Sequence, residues 1–333
     1  MNLNNKIKLV YYLKGPLLTD WLIDLTTFYF DVSCFDPTVT YDKKSTIFYV
    51  NLFDENLQVV EKLTNEGYAV VVDGLWEIEG LVDMVFKKNN LNIQNPSKVL
   101  MLSNSNWGWY DGCLESRYFG KDKYVPNRTY HKTAFMPMRN MNVYRKFLHQ
   151  ALLNHLNDFI WSFVAMGVKL PDGTGTTKVD LSIDIEQALP QTVGITTFNP
   201  EWYDNTCFSL VAETVVPSAL KKNLKLSEKT WKPIIHQHPF MILGTPGLLQ
   251  YLKSQGFETF ENMFDESYDE PGKSLVERVN IIKQNVDSYK KQPHSPLTLN
   301  KIQHNHYHFF DQDLVKNRIV EEVFSLILEH AEA

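Results

Sequence analysis

Short apolar runs alternate with amphipathic stretches along most of this 333-residue chain. Ile7–Tyr12 reads as a buried strand, and Leu17–Phe30 as a helix opened near Pro16. Ser45–Val50 reads as the next strand, and Glu55–Asn65 as a helix closed by Gly67. Tyr68–Asp73 is an apolar strand ending in Asp73-Gly74, and Lys98–Leu102 is another, ending in Ser103-Asn104-Ser105. Strands alternating with helices predict a parallel α/β sheet, with ligands outside the carboxyl ends of its strands.

Asn142–Met166 carries the longest helical pattern, with Phe147, Leu148, Leu152, Leu156, Phe159, Ile160 and Phe163 on one face. The Gly- and Thr-rich stretch Leu170–Thr177 follows and reads as a linker. A domain boundary is expected there, or slightly later in the polar Ser182–Gln191 segment. This gives a first domain over 1–168, a second over 169–310, and a terminal helix within 311–333. The second domain predicts strand Phe208–Glu213, helix Ser227–His236, strand Pro239–Leu243, helix Leu248–Gln255, strand Thr259–Phe260 and helix Ser274–Tyr289. The last helix, Asp313–Glu329, places Leu314, Val315, Ile319, Val323, Phe324, Ile327 and Leu328 on one face.

Hydrophobic residues make up 44% and charged residues 22%, the balance of a soluble globular protein. No run of about 18 apolar residues exists, so no membrane-spanning helix is expected. The N-terminus turns polar too soon for a signal peptide. Cys34, Cys113 and Cys207 are widely spaced and odd in number, which points to a reducing compartment and a cytoplasmic setting. The net charge of −6 gives no global case for nucleic acid.

Locally the charge reverses. Glu115–Gln150 holds eight Lys/Arg against two acids: Arg117, Lys121, Lys123, Arg128, Lys132, Arg139, Arg145 and Lys146. Aromatic residues run through and before it, including Trp107, Trp109 and Tyr110. Such a segment suits a polyanion through phosphate neutralisation and base stacking, and equally a solvated basic face or a pyrophosphate site. Trp107, Trp109, Arg117, Lys121, Lys123 and Arg128 are therefore candidate acceptor-binding residues.

The stretch Leu226–Phe260 is the richest in chemistry. Adjacent Glu228 and Lys229 can serve two ends of a nucleotide diphosphate: ribose hydroxyls for the carboxylate, phosphate charge for the ammonium. The same pair also fits a plain helix start behind a Ser227 N-cap. The strand before Gly244, the turn Gly244–Gly247 and the helix after it predict an anion pocket built from free backbone N–H groups. His304, His306 and His308 alternate, so on a strand they would share a face. No Cys, Asp or Glu partner stands at ligand spacing, and no metal site is assigned. Dinucleotide and P-loop glycine motifs are absent.

The order Ser227-Glu228-Lys229-Thr230-Trp231-Lys232-Pro233, His238-Pro239-Phe240, Gly244, Gly256-Phe257-Glu258-Thr259-Phe260 resembles the donor-binding half of GT-B glycosyltransferases. The fucosyltransferase-like group and its phage-encoded relatives are the nearest in pattern. Asp265–Asp269 fits the phage-type branch, and Val211-Ala212-Glu213-Thr214 matches a Glu-Thr ending a core strand. Met138–Arg145 looks like the relatives' Arg-rich motif. The resemblance spans about residues 195–310 and is weak before them.

The resemblance implies two Rossmann-like α/β domains facing a cleft, with a terminal helix crossing back to the first. It implies a UDP- or GDP-sugar donor, no bound cofactor and no metal, with Glu213, Glu228, Lys229, Gly244, Arg139 and Arg145 at the donor. An inverting transfer needs a general base on the acceptor side, for which Asp73 and Asp111 are the candidates, with Glu77 and Glu115 behind them. The leading acceptor is a hydroxymethylated base in double-stranded phage DNA, flipped from the duplex. The alternatives are a glycan or lipopolysaccharide acceptor, and a catalytically silent sugar-nucleotide-binding protein. Oligomeric state is left open.

Overall fold

The computed structural model describes residues 7–11, 30–51, 58–73, 91–102, 109–110, 112–113, 116, 120–140, 143–164, 199–213 and 226–332. The chain forms two compact units: Met1–Leu114 with Gln312–Ala333, and Glu115–Asp311.

The first unit holds strands β1 (Lys8–Tyr11), β2 (Asp31–Cys34), β3 (Thr46–Asn51), β4 (Ala69–Asp73) and β5 (Val99–Leu102). They pair in the order β2-β1-β3-β4-β5, and every pairing is parallel. A sheet covered on both faces needs strands that are apolar throughout, as Ala69-Val-Val-Val72 is in β4. Helix α1 (Gln58–Asn65) buries Val59, Val60 and Leu63 against Val10, Phe48, Val50, Val70 and Val72.

The second unit runs β6 (Lys132–Asn140), α2 (Val143–Ala151), β7 (Phe159–Val164), α3 (Pro200–Asp204), β8 (Thr206–Ala212), α4 (Glu228–Ile235) and β9 (Phe240–Leu243). After these come α5 (Leu248–Ser254), α6 (Leu275–Ser288) and α7 (Pro296–Phe309). Its four strands are again all parallel, in the order β7-β6-β8-β9. Strand β8 is buried along its whole length, as a central parallel strand should be.

The C-terminal segment returns to the first unit as α8 (Gln312–Ile319), a π-helical turn (Val320–Phe324) and α9 (Ser325–Glu332). Phe324 meets Phe30 edge-on at 5.3 Å, the Tyr110 hydroxyl donates to Glu322 at 2.5 Å, and His330 donates to the Lys98 carbonyl at 3.1 Å. Two parallel α/β sheets in separate units with a returning C-terminal helix make up the α/β layout expected of a GT-B chain.

Both sheets follow one plan. In each, the chain lays its second strand on one side of the first, then crosses to add the rest on the other. The switch points lie between β1 and β3, and between β6 and β8; ligands of open α/β sheets gather outside the carboxyl ends at such points.

Several local expectations fail for identifiable reasons. The helix expected over 142–166 stops at Ala151; a 3₁₀ turn (Leu153–Asp158) follows, and Phe159–Val164 is strand β7. Its Phe-Ile-Trp-Ser-Phe-Val sequence is aromatic and β-branched, which favours a pleated strand over the helix that the apolar spacing suggested. Strand β6 lay hidden inside the basic segment, and with it β7 builds the second sheet rather than the first. The compact units accordingly divide at 114/115, not at 168/169. Thr259–Phe260 is not a strand, and β2 was not foreseen. The helix expected over 17–30 lies outside the described residues except for Phe30, and the expected linker lies outside them entirely.

Candidate functional site

The second switch point is shaped by a proline. Strand β6 pairs with β8 from Lys132↔Thr206 to Phe135↔Ser209, then continues paired with β7 through Asn140. Pro137 has no N–H to give a ladder and stands just past the last β8 pairing. Beyond Ser209, β8 is laddered to β9 as far as Ala212↔Leu243. The side of β8 facing β6 is therefore open to other partners at its carboxyl end.

Arg145, in the first turn of α2, reaches this opening. Its side chain is 1% exposed, and Nε and Nη2 donate to the Ala212 carbonyl at 3.3 and 2.9 Å. Burial pulls its pKa below the usual guanidinium value, while the charges of Glu213 and Glu228 oppose that pull. A guanidinium stays protonated under such a shift, so the site holds a buried positive charge.

Glu213, the residue after Ala212, is also 1% exposed. Its carboxylate accepts from the Ser227 amide at 3.1 Å, the Ser227 hydroxyl at 2.5 Å and the Thr230 hydroxyl at 2.5 Å. These donors, with nearby Arg145, make burial of a carboxylate tolerable. Gly244 lies against it: a Cβ there would sit 3.5 Å from Glu213 Cγ and 2.7 Å from Leu248 Cδ1. A side chain at 244 would have to displace Leu248 and would fill the space beside Glu213.

Ser227 is the N-cap of α4, and its hydroxyl accepts from the Lys229 amide at 3.3 Å. Glu228 and Lys229 fill the first two helical positions and are ion-paired with each other. Their side chains are 35% and 19% exposed, so both meet solvent at the edge of the site. Burial raises the Glu228 pKa, but the Lys229 charge and hydrogen bond, with Lys232 behind, outweigh it and leave the carboxyl below its usual range. Arg145, Glu213, Glu228, Lys229 and Gly244 thus come together at the β6/β8 switch point. Sequence reasoning missed Ser227 and Thr230 as partners of Glu213; the Ser-x-x-Thr spacing at a helix start was the available signal.

The anion pocket expected at the Gly244–Gly247 turn is corrected. The Asp269 carboxylate caps α5 by accepting from the Leu249 amide at 2.7 Å, and the Gly247 amide donates to the Asp269 carbonyl at 2.7 Å. The protein's own carboxyl thus occupies that helix start. Burial pushes Asp269 up to about 7, against the Leu249 hydrogen bond and the Arg278 charge.

The acceptor candidates scatter. Trp109 is buried beneath the Arg318 guanidinium, 5.1 Å from the ring centroid, and presents no face to a base. Arg128 bridges Asp204 at 3.0 Å and the carbonyls of His236 and Gln237 at 2.5 and 2.7 Å; it fastens the segment before β6 to the amino-terminal edge of the sheet. Lys121 is half-buried and Lys123 exposed in a 3₁₀ turn. Trp107, Asp111 and Arg117 lie outside the described residues, as do Glu77 and Glu115. Asp73 ends β4 and Arg139 lies in β6, but their side chains are not described. His304, His306 and His308 sit on helix α7 rather than a strand. His304 and His308 stack and donate to the Gly256 and Gln255 carbonyls at 2.9 and 2.8 Å, closing the end of α5. Among the described residues no group of three His, Cys, Asp or Glu could hold a metal ion. Among them, too, no helix is long and apolar enough to cross a membrane.

No protein-family model matches the chain, and no curated protein matches its sequence. Among solved structures, an α1,3-fucosyltransferase is similar at 11% identity and a TM-score of 0.40, over 93% of this chain and 91% of that one. An α1,3-fucosyltransferase with GDP-fucose gives 10% and 0.37 over 92% and 91%, and one with GDP gives 10% and 0.40 over 95% and 94%. Likeness at this level leaves the functional reading to the residues themselves.

Proposed function

We propose that the chain is a glycosyltransferase that holds a nucleotide-diphosphate sugar at the carboxyl edge of its second sheet. The observation that carries this reading is the convergence of a buried guanidinium, Arg145, and the Glu228–Lys229 pair at a parallel-sheet switch point. Arg145 and Lys229 supply positive charge where a diphosphate would sit, and Glu228 supplies an acceptor for ribose hydroxyls.

In the transfer, the acceptor oxygen forms a bond to the anomeric carbon while the bond to the diphosphate breaks. The leaving diphosphate gains negative charge, and Lys229 and Arg145 stabilise it most at that moment. A carboxylate takes the acceptor's proton; Asp73 and Asp111 are proposed for this role, and Arg139 as a further diphosphate contact. UDP- and GDP-sugars are the donor classes.

The acceptor is a hydroxyl. The hydroxymethylated-base reading loses Trp109 and Arg128 to burial and structural bonding, and keeps Lys121 and Lys123 among the described residues. Glycan acceptors need no basic face. Incubation with UDP- and GDP-sugars, together with hydroxymethylcytosine DNA or saccharides, tests the reading by mass. A sugar added to either acceptor, or slow release of nucleoside diphosphate, supports it. A donor panel left intact under all conditions contradicts it.

A further inference from the structure

Helices α4 and α6 start in the same way but obtain their carboxylate from different places. At α6, Ser274 is the N-cap; its amide and hydroxyl donate to Glu277 at 2.8 and 2.6 Å, and the Glu277 amide returns a bond to the Ser274 hydroxyl at 3.3 Å. This is a capping box closed within one turn. At α4, the Ser227 amide and hydroxyl likewise donate to a glutamate, but the third helical position is Thr230, whose hydroxyl is a donor. The carboxylate comes instead from Glu213, 14 residues earlier at the end of β8.

A local cap would stabilise α4 equally well. The long-range cap does something more: it ties the helix start, and the two residues between Ser227 and Thr230, to the core strand. Those two residues are Glu228 and Lys229. The preceding strand residue, Ala212, holds Arg145 through its carbonyl. Two consecutive residues, the last of β8 and the one that follows it, therefore fix both cations of the site. Gly244 closes the other side, where a Cβ would lie in ordinary contact with Glu213 and would have to displace the Leu248 side chain.

We propose that Glu213 is a positioning residue rather than a ligand contact: it sets the start of α4 so that Lys229 and Arg145 face the same diphosphate. This rests on the donor-site reading above. The sequence resemblance had placed Glu213 among the groups touching the donor; its carboxylate oxygens are instead directed at Ser227 and Thr230.

Calorimetric titration of GDP and UDP into the full chain tests the assignment. Glu213→Gln keeps the shape but presents an amide N–H₂ to one of the Ser227 and Thr230 donors. Thr230→Val removes one donor within the same volume. The structure predicts nucleoside diphosphate binding weakened about 10-fold by Glu213→Gln and several-fold by Thr230→Val, the scale of a lost charged hydrogen bond. Glu277→Gln, which damages the local cap of α6, should lower the melting temperature and leave the dissociation constant unchanged. Wild-type affinity in both Glu213→Gln and Thr230→Val, with Lys229→Ala weakened, overturns the positioning role and keeps the donor site. Equal weakening in Glu277→Gln also overturns it, as general destabilisation. A wild-type chain that binds neither nucleotide, or a Lys229→Ala variant that binds as wild type, removes the donor site and this role with it. If Glu213→Gln does not fold, Thr230→Val carries the test.

Discussion

The Arg145 guanidinium donates through Nη2 to the Ala212 carbonyl at 2.9 Å, beyond the last pairing of β6 with β8. An arginine side chain thus takes a carbonyl at the edge of a parallel sheet, and in doing so places a buried charge at the carboxyl end. Arg145→Met should lower the unfolding free energy by about 3–5 kcal/mol, because it leaves the Glu213 carboxylate buried beside no guanidinium. Arg145→Lys restores charge but not the fork, and should still cut kcat/KM by about 10²-fold. Urea unfolding and donor turnover read the two effects separately.

Lys229 separates function from stability. Its side chain lies near the surface in an ion pair with its neighbour, a class of interaction worth about 1 kcal/mol or less. Lys229→Ala should therefore leave the melting temperature within a few degrees of wild type and lower kcat/KM by about 10²-fold. Near-normal turnover in that variant would remove Lys229 from the site.

Gly244 and Gly256 should both reject alanine, for different reasons. Gly256 has a φ of +94°, and a Cβ there would come within 2.7 Å of the His308 ring. No left-handed φ is involved at Gly244, where the obstruction is Leu248 at 2.7 Å. Each substitution should cost about 1–3 kcal/mol. Only Gly244→Ala, which displaces Leu248 beside Glu213, should also weaken nucleotide binding; equal weakening by both would contradict this.

Acid should destabilise the second unit. His236 and His238 are buried near Arg128, and burial first, then that charge, hold both well below the usual imidazole range. The same causes bring His294 down to about 4. Between about 4 and 6.5 the unfolded chain binds protons that these folded imidazoles refuse, so their contribution is complete above 6.5 and is lost as pH falls. Asp269 has the opposite sign. Raised to about 7, it is protonated when folded and ionised when unfolded, so its contribution is present at low pH and lost as pH rises through 7. Three imidazoles oppose one carboxyl, and the net expectation is a falling melting temperature from pH 6.5 towards 4. Asp269→Asn removes the opposing group and should steepen that fall. A melting temperature that rises on acidification would contradict the assignment.

The sequence made the apolar strands legible because buried parallel strands read as continuous apolar runs: β4, β8 and β9 overlap the strands expected over Tyr68–Asp73, Phe208–Glu213 and Pro239–Leu243. Strand β6 was illegible because its Lys132, Pro137 and Arg139 break that run. Those residues are tolerated because β6 is paired on both sides only over Ala134 and Phe135, and all three lie outside that stretch. Helix and strand trade places over Phe159–Val164, where apolar spacing alone does not choose between them. At the site, Glu228, Lys229 and the N-cap Ser227 could be read from adjacent positions. The Glu213 contact to Ser227 and the Asp269 cap on α5 could not, because each joins residues 14 or more apart and only folding brings them together.

A crystal structure of the protein with GDP or UDP bound would locate the diphosphate. The phosphate oxygens should lie within hydrogen-bond distance of Arg145 and Lys229, with the ribose on Glu228. Phosphates bound at the Gly244–Gly247 turn, or on the first sheet with Arg145 and Lys229 untouched, would contradict this placement.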